Sequence, residues 1–210
     1  MLDTVYEYGL REKERIAELV ESCRKSRPEA ARLWRSGEIP EWEGKTRIAA
    51  VDGSYNRMDF REFILYAVDA ECVIYDGGGI STRAEAVVDL LRPYRYARNR
   101  LQLYMAMLEL RLANLVLEEG QADLVLFDGS LYGQAIRPLP FDREMPDALR
   151  SRVIEGYLPA LEEGLWKREK PIASTALFME MHREFGDDFA EAAGYLEYLE
   201  HLLVLGQLLE

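Results

Sequence analysis

The stretch Leu124–Gly133, LVLFDGSLYG, carries four apolar residues straight into an aspartate and a tight turn. A short apolar run without polar alternation reads as a buried, central strand. The same tripeptide closes another apolar run, IAAVDGSYN at residues 48–56, as Asp52-Gly53-Ser54. A turn needs only the glycine. If the two strands are neighbours, Asp52 and Asp128 emerge together at one edge of a sheet. Holding two acids there implies something cationic beyond them.

The segments between and around these strands set the expected topology. A first helix is expected over Leu2–Ser22, with Val5, Ile16, Leu19 and Val20 as its apolar stripe. A second opens at Ser26, with Pro28 in its first turn and Glu29 closing a capping box. The segment RSGEIPEWEGKT leads as a loop into the first strand, which ends in an Asp-Gly-Ser-Tyr-Asn turn. The runs REFILYAVDA and ECVIYDGGG read as two further strands, making an antiparallel meander of three. Pro93 divides a helical region, and a long helix follows from Tyr94 to Glu119, stopped by Gly120. After the fourth strand come a loop, RPLPFDREMPD, and a helix near Pro146–Trp166. A short fifth strand, KPIASTA, precedes C-terminal helices, the last opening at Asp188 with Glu191. The order β-β-β-α-β-α-β-α is similar to that of the ribonuclease H-like α/β fold. A Rossmann domain alternates from its start and has no meander. Residues 1–44 are read as an N-terminal helical extension and 45–210 as one α/β domain.

A third acid stands out on the long helix. Leu101, Met105, Leu108, Leu112 and Val116 form its core stripe, and Glu109 falls on the margin of that stripe. A carboxylate there needs compensation. Arg98 and Gln102, on the same helix edge, could supply it; so could a divalent metal shared with Asp52 and Asp128. An all-oxygen donor set favours Mg²⁺ or Mn²⁺ over zinc. Two such ions about 3.5–4 Å apart suit phosphodiester hydrolysis.

The 210 residues have a formal net charge of −12, which argues against a chain that coats nucleic acid by charge alone. A local cationic path remains open. Of the 26 basic residues 21 are arginine, and LRPYRYARNRLQ alone carries Arg92, Arg95, Arg98 and Arg100. Arginine's planar fork suits phosphate. Candidate DNA contacts are Arg57, Arg95 and Arg98, with Tyr55 and Tyr132 as aromatic neighbours of the two aspartates. Cys23 and Cys72 are expected to be buried thiols. No apolar run reaches membrane-spanning length, and a cytoplasmic location is expected.

With IAAVDGSYN, LEL around Glu109 and LVLFDGSL in this order, 57 and 19 residues apart, the chain resembles the NurA family of DNA-repair nucleases over residues 45–135. The resemblance implies a ribonuclease H/Piwi-like nuclease domain, dependent on Mn²⁺ or Mg²⁺, that processes DNA ends in recombination. It implies Asp52, Glu109 and Asp128 as metal ligands, a homodimer, and a HerA-type hexameric helicase/ATPase as partner. It also implies a late histidine in the catalytic site. His201, in GYLEYLEH, is the first candidate, although its helical position suggests a solvated side chain, and His182 is the second. A lysine that follows the fifth strand in the family is absent from IASTALF. Two rival readings remain: a catalytically weak or inactive module docking on a DNA translocase, and an actin- or sugar-kinase-like ATP-binding protein.

Overall fold

In a computed structural model of the chain, the described residues are 2–25, 28, 31–32, 46–136, 145–168 and 170–209. The chain divides into two compact units, Met1–Trp42 and Glu43–Glu210. The first contains helix α1, Leu2–Lys25, three residues longer than its apolar stripe suggested. The capping box at Ser26 and Glu29, most of the loop before β1, the Cys23 side chain and most of the loop 137–147 lie outside the described residues.

The second unit is built on a four-stranded sheet of order β3-β2-β1-β4. Strands β1 (Ile48–Asp59), β2 (Ile64–Tyr75) and β3 (Ile80–Leu91) form the expected antiparallel meander, and β4 (Leu124–Phe127) runs parallel to β1. Among the described residues β4 is an edge strand with Leu124 and Leu126 exposed, not the buried central strand its apolar run suggested, because only one of its sides is paired. The meander is made of different residues than expected. REFILYAVDA and ECVIYDGGG are one strand, β2, which alternates strictly. Ile64, Tyr66, Val68, Ala70, Cys72 and Ile74 are buried, while Asp69 and Glu71 face outward. Those two acids, on alternate positions of one face, interrupt the apolar run without interrupting the strand. The turn after Tyr75 is organised by Asp76, whose Oδ1 accepts the N–H groups of Gly78 and Gly79 at 2.9 and 2.8 Å.

Strand β3, ISTRAEAVVDLL, falls where the sequence suggests a helical segment. Its alanines and acids are poor strand formers. An unbroken twelve-residue register with β2, from Ile80 opposite Tyr75 to Leu91 opposite Ile64, overrides that preference.

Helix α2 (Ala97–Glu118) returns across one face of the sheet and packs on β1 and β2. Leu101, Leu108, Leu112 and Val116 are buried as expected. Leu103, Met107 and Leu110 are buried as well, because the C-terminal helix lies on the far side. That outer layer comprises α3 (Leu131–Ala135), α4 (Asp147–Lys167), α5 (Phe178–Phe185) and α6 (Phe189–Leu209). On α4, Leu149, Val153, Tyr157, Leu161 and Leu165 recur every fourth residue and pack against Met181, Phe185, Leu196 and Val204.

The expected fifth strand is absent among the described residues; Ala173–Leu177 form a 3-10 turn. The reason is Glu200 on α6, fully buried, whose carboxylate accepts the N–H groups of Ala173 and Ser174 at 2.7 and 2.8 Å. Those donors are thereby withdrawn from any ladder. Burial pushes the Glu200 carboxyl above its ordinary pKa. Cys72 is a buried free thiol.

Candidate functional site

The two Asp-Gly-Ser segments differ in conformation. Asp128 follows directly on the last residue of β4, and Gly129 takes a φ of +127°, which favours glycine. Ser130 then caps α3, its Oγ accepting the Gly133 N–H at 3.1 Å. Asp52 is not at a strand end: β1 continues through it to Asp59, and the expected turn at residues 52–56 is strand. Strand β4 stops at Phe127, opposite Val51, so β1 beyond Val51 has no strand beside it on that edge among the described residues.

The register that sets the aspartates side by side is fixed one residue before each strand. Arg47 clasps Asp123, with Nε to Oδ2 at 3.1 Å, Nη2 to Oδ1 at 2.6 Å and its backbone N–H to Oδ2 at 2.9 Å. The Asp123 N–H returns a bond to the Arg47 carbonyl at 2.8 Å. Hydrogen bonding from the Arg47 side chain, then from its backbone, pulls the Asp123 carboxyl down to about 2. The clasped residues are 76 apart in sequence, as are Asp52 and Asp128. Register is propagated unchanged along paired strands, so this fork aligns the two acids.

Both aspartates are exposed, and both line an open groove of about 630 Å³ with Ala50, Val51, Glu71, Val73, Leu126 and Phe127. Glu71 stands directly opposite Asp52 across the β1–β2 ladder. Its place on that face is legible only once β2 is read as one alternating strand. The Asp52 Oδ1 accepts the Gly53 N–H at 3.0 Å.

Glu109 arrives from the helix-covered face. It is half-buried on α2, and its Oε1 lies only 2.7 Å from where a side chain on Gly53 would begin. Met105 Cγ occupies the other side of that point at 2.7 Å, and the Asp69 carbonyl stands 3.1 Å away. Gly53 is therefore needed for close approach, not for a turn. Alanine at Gly53 is expected to destabilise the protein by about 1–3 kcal/mol by overpacking. Truncating Glu109 and Met105 together should remove most of that cost. Denaturant unfolding of the single, double and triple variants checks both expectations, and an additive triple variant would place the strain elsewhere.

Among the described residues, no three His, Cys, Asp or Glu side chains converge on one point as they stand. The carboxylates form an open set: Asp52 and Asp128 side by side on one face, Glu109 against the neighbouring residue from the other.

His201 is fully buried on α6, not solvated as its helical position suggested, and its Nε2 donates to the Gln134 carbonyl of α3 at 3.1 Å. It thus abuts the segment that leaves Asp128. His182 is exposed and packs edge-on to Phe189 at 5.0 Å. Arg57 is exposed and 3.5 Å from Asp59. The Arg98 Nε donates to the Tyr55 hydroxyl at 3.1 Å, and the Arg95 guanidinium lies 5.3 Å from the centre of the Tyr96 ring. Tyr132 is exposed.

A family model described as the NurA domain matches residues 46–210. The chain belongs to the NurA family. It is 29% identical over 136 residues to the DNA double-strand break repair nuclease NurA of Sulfolobus acidocaldarius, covering 62% of this chain and 40% of that protein. It is 27% identical over 212 residues to the probable DNA double-strand break repair nuclease NurA of Methanocaldococcus jannaschii, covering 97% of this chain and 51% of that one. A crystal structure of NurA bound to dAMP and manganese shares the fold, with a TM-score of 0.64 at 17% identity, over 95% of this chain and 64% of that one. The chain thus spans about half the length or less of these curated NurA relatives.

Proposed function

We propose that the chain is a metal-dependent deoxyribonuclease that hydrolyses phosphodiester bonds during DNA-end processing in repair. The observation that carries this reading is the alignment of Asp52 with Asp128 beside a groove, with the Glu109 carboxylate seated against Gly53. Residues 45–210 would be the nuclease domain, in a ribonuclease H-like arrangement, and 1–44 a helical extension.

The donor chemistry of these residues fits a divalent cation. Every donor is a carboxylate oxygen, the set hard cations prefer, and the space beside Gly53 that a Cβ would fill is taken by one of them. Asp52, Asp128 and Glu109 would hold Mn²⁺ or Mg²⁺. Bound there, the cation would acidify a water and neutralise charge building on the phosphodiester. The protein's own part is positional. The Arg47–Asp123 clasp sets the register of the two aspartates, and His201 steadies the Asp128 segment through Gln134. Arg57, Arg95 and Arg98 contact DNA phosphates as planar forks.

The family resemblance supports a cytoplasmic homodimer working with a HerA-type hexameric ATPase. Among the described residues no helix is long and apolar enough to cross a membrane.

The test is cleavage of end-labelled linear duplex and single-stranded DNA by purified protein. Cleavage with Mn²⁺ or Mg²⁺ and none in EDTA is expected. Absence of cleavage under every condition would favour the docking module. That module has no need of three carboxylates gathered beside one strand.

A further inference from the structure

The sheet end remote from Asp52 and Asp128 has a different chemistry. The β1–β2 hairpin closes with the Phe60 N–H donating to the Phe63 carbonyl at 2.8 Å, and the two rings stack with centroids 4.6 Å apart and an interplanar angle of 26°. Both rings remain open to solvent, 43% exposed at Phe60 and 38% at Phe63. A cross-strand aromatic pair steadies a hairpin, but that role does not require the pair to stay this exposed.

Five arginines lie on the segments at and behind this end of the sheet, two of them already engaged, Arg57 with Asp59 and Arg98 with the Tyr55 hydroxyl. Arg57 lies on β1 and Arg61 in the turn. The register Ile64 opposite Leu91 brings Arg92 beside Phe63 as the chain leaves β3, with Arg95 and Arg98 following before and within the first turn of α2. All five are exposed. Asp59, Glu62 and Asp89 lie at this end as well, and Asp69 at the level of Arg98, in a chain whose net charge is −12. A local cationic excess beside bare, stacked aromatic faces is the composition that binds unpaired nucleotides: arginines follow the backbone, and rings take the bases whatever their identity.

We propose that the Phe60–Phe63 stack is a platform for an unpaired DNA base, with Arg61 and Arg92 holding the adjoining phosphates. The proposal rests on the nuclease reading and adds the place where a single strand is gripped. From Asp52 to Asp59 along β1 is about 23 Å at 3.3 Å per residue. A single strand held on the platform would therefore run along that length of β1 to reach the carboxylates.

The experiment is binding of a fluorescent oligothymidine and of a blunt duplex to the full chain in EDTA, where a metal-dependent nuclease cannot cut. F60A/F63A is expected to weaken single-strand binding roughly 5- to 150-fold, the range one stacked base produces, with a smaller effect on duplex. F60W/F63A, which returns one stacking face, should recover part of the affinity. A 2-aminopurine in the oligonucleotide should be quenched by wild type and not by F60A/F63A. An unchanged single-strand affinity, an equal loss on duplex, or no single-strand binding by wild type overturns the platform. Metal-dependent cleavage by wild type, measured separately, decides the parent reading. Cleavage with unaltered binding in F60A/F63A sinks only the platform, whereas lost binding without any cleavage sinks only the nuclease.

Discussion

Asparagine at Asp128 is expected to lower metal-dependent DNA cleavage at least about a hundredfold, the scale on which losing one group that stabilises transition-state charge is felt. Asparagine at Asp52 should do the same. Neither change should disturb the fold. Both side chains are exposed, and in Asp52→Asn the amide oxygen can still accept the Gly53 N–H that Asp52 Oδ1 accepts at 3.0 Å. The removed property is negative charge, so weakened cation binding should accompany the loss; isothermal titration with Mn²⁺ reads it without any DNA. Because groups that act as one unit are not additive, the double variant should be little worse than either single one. Wild-type cleavage by D128N, with an unchanged melting curve, would remove Asp128 from the site. A collapse of the melting curve would instead make these acids structural, against their exposure.

Asp52, Glu109 and Asp128 stand out in the sequence because each violates its surroundings: two acids close apolar runs, and one interrupts the margin of a helical stripe; the structure brings the two aspartates to one groove and Glu109 against Gly53. The meander was legible as a count of three strands but not as an assignment. Asp69 and Glu71 looked like a break between strands because a run of apolar letters does not show which face each residue takes. Only pairing reveals that both acids share the uncovered face with Asp52. Strand β3 was hidden for the converse reason. Its local preference is not for strand, and what makes it one is twelve residues of β2 found across a turn. The turn assigned to Asp52-Gly53-Ser54 failed because glycine has two uses: Gly129 supplies a positive φ, whereas Gly53 supplies room for Glu109. The Arg47–Asp123 clasp left a faint mark, one charged residue before each strand at the same offset as the two aspartates. His201 reads as solvated in the sequence because helical period alone does not reveal that α3 lies against it.

The second large effect concerns the join between the two helices that carry Glu109 and His201. Arg100 of α2 forms a forked ion pair with Glu197 of α6, and the Tyr104 hydroxyl donates to the same carboxylate. Glu197 is fully buried. Burial opposes the Arg100 charge, but Glu197, Tyr104 and Tyr94 together outweigh it and hold the guanidinium pKa well above its ordinary value. Methionine at Arg100 would strand a buried carboxylate, and should cost about 3–5 kcal/mol. In a chain of this size that corresponds to a fall in Tm of roughly 6–20 °C. Leucine at Glu197 in the same molecule removes the stranded charge, so Arg100→Met/Glu197→Leu should recover most of the lost stability. The comparison separates two roles. If cleavage also recovers in the double variant, the pair serves only to join the helices. If stability returns and cleavage does not, the fork also sets where α2 presents Glu109, since a directional, two-pronged ion pair fixes an orientation that apolar packing leaves free to slide. A single variant with an unshifted melting curve would mean that water reaches Glu197 and that the join lies elsewhere, in contacts such as the Asn114 side chain on the Val204 carbonyl at 2.9 Å.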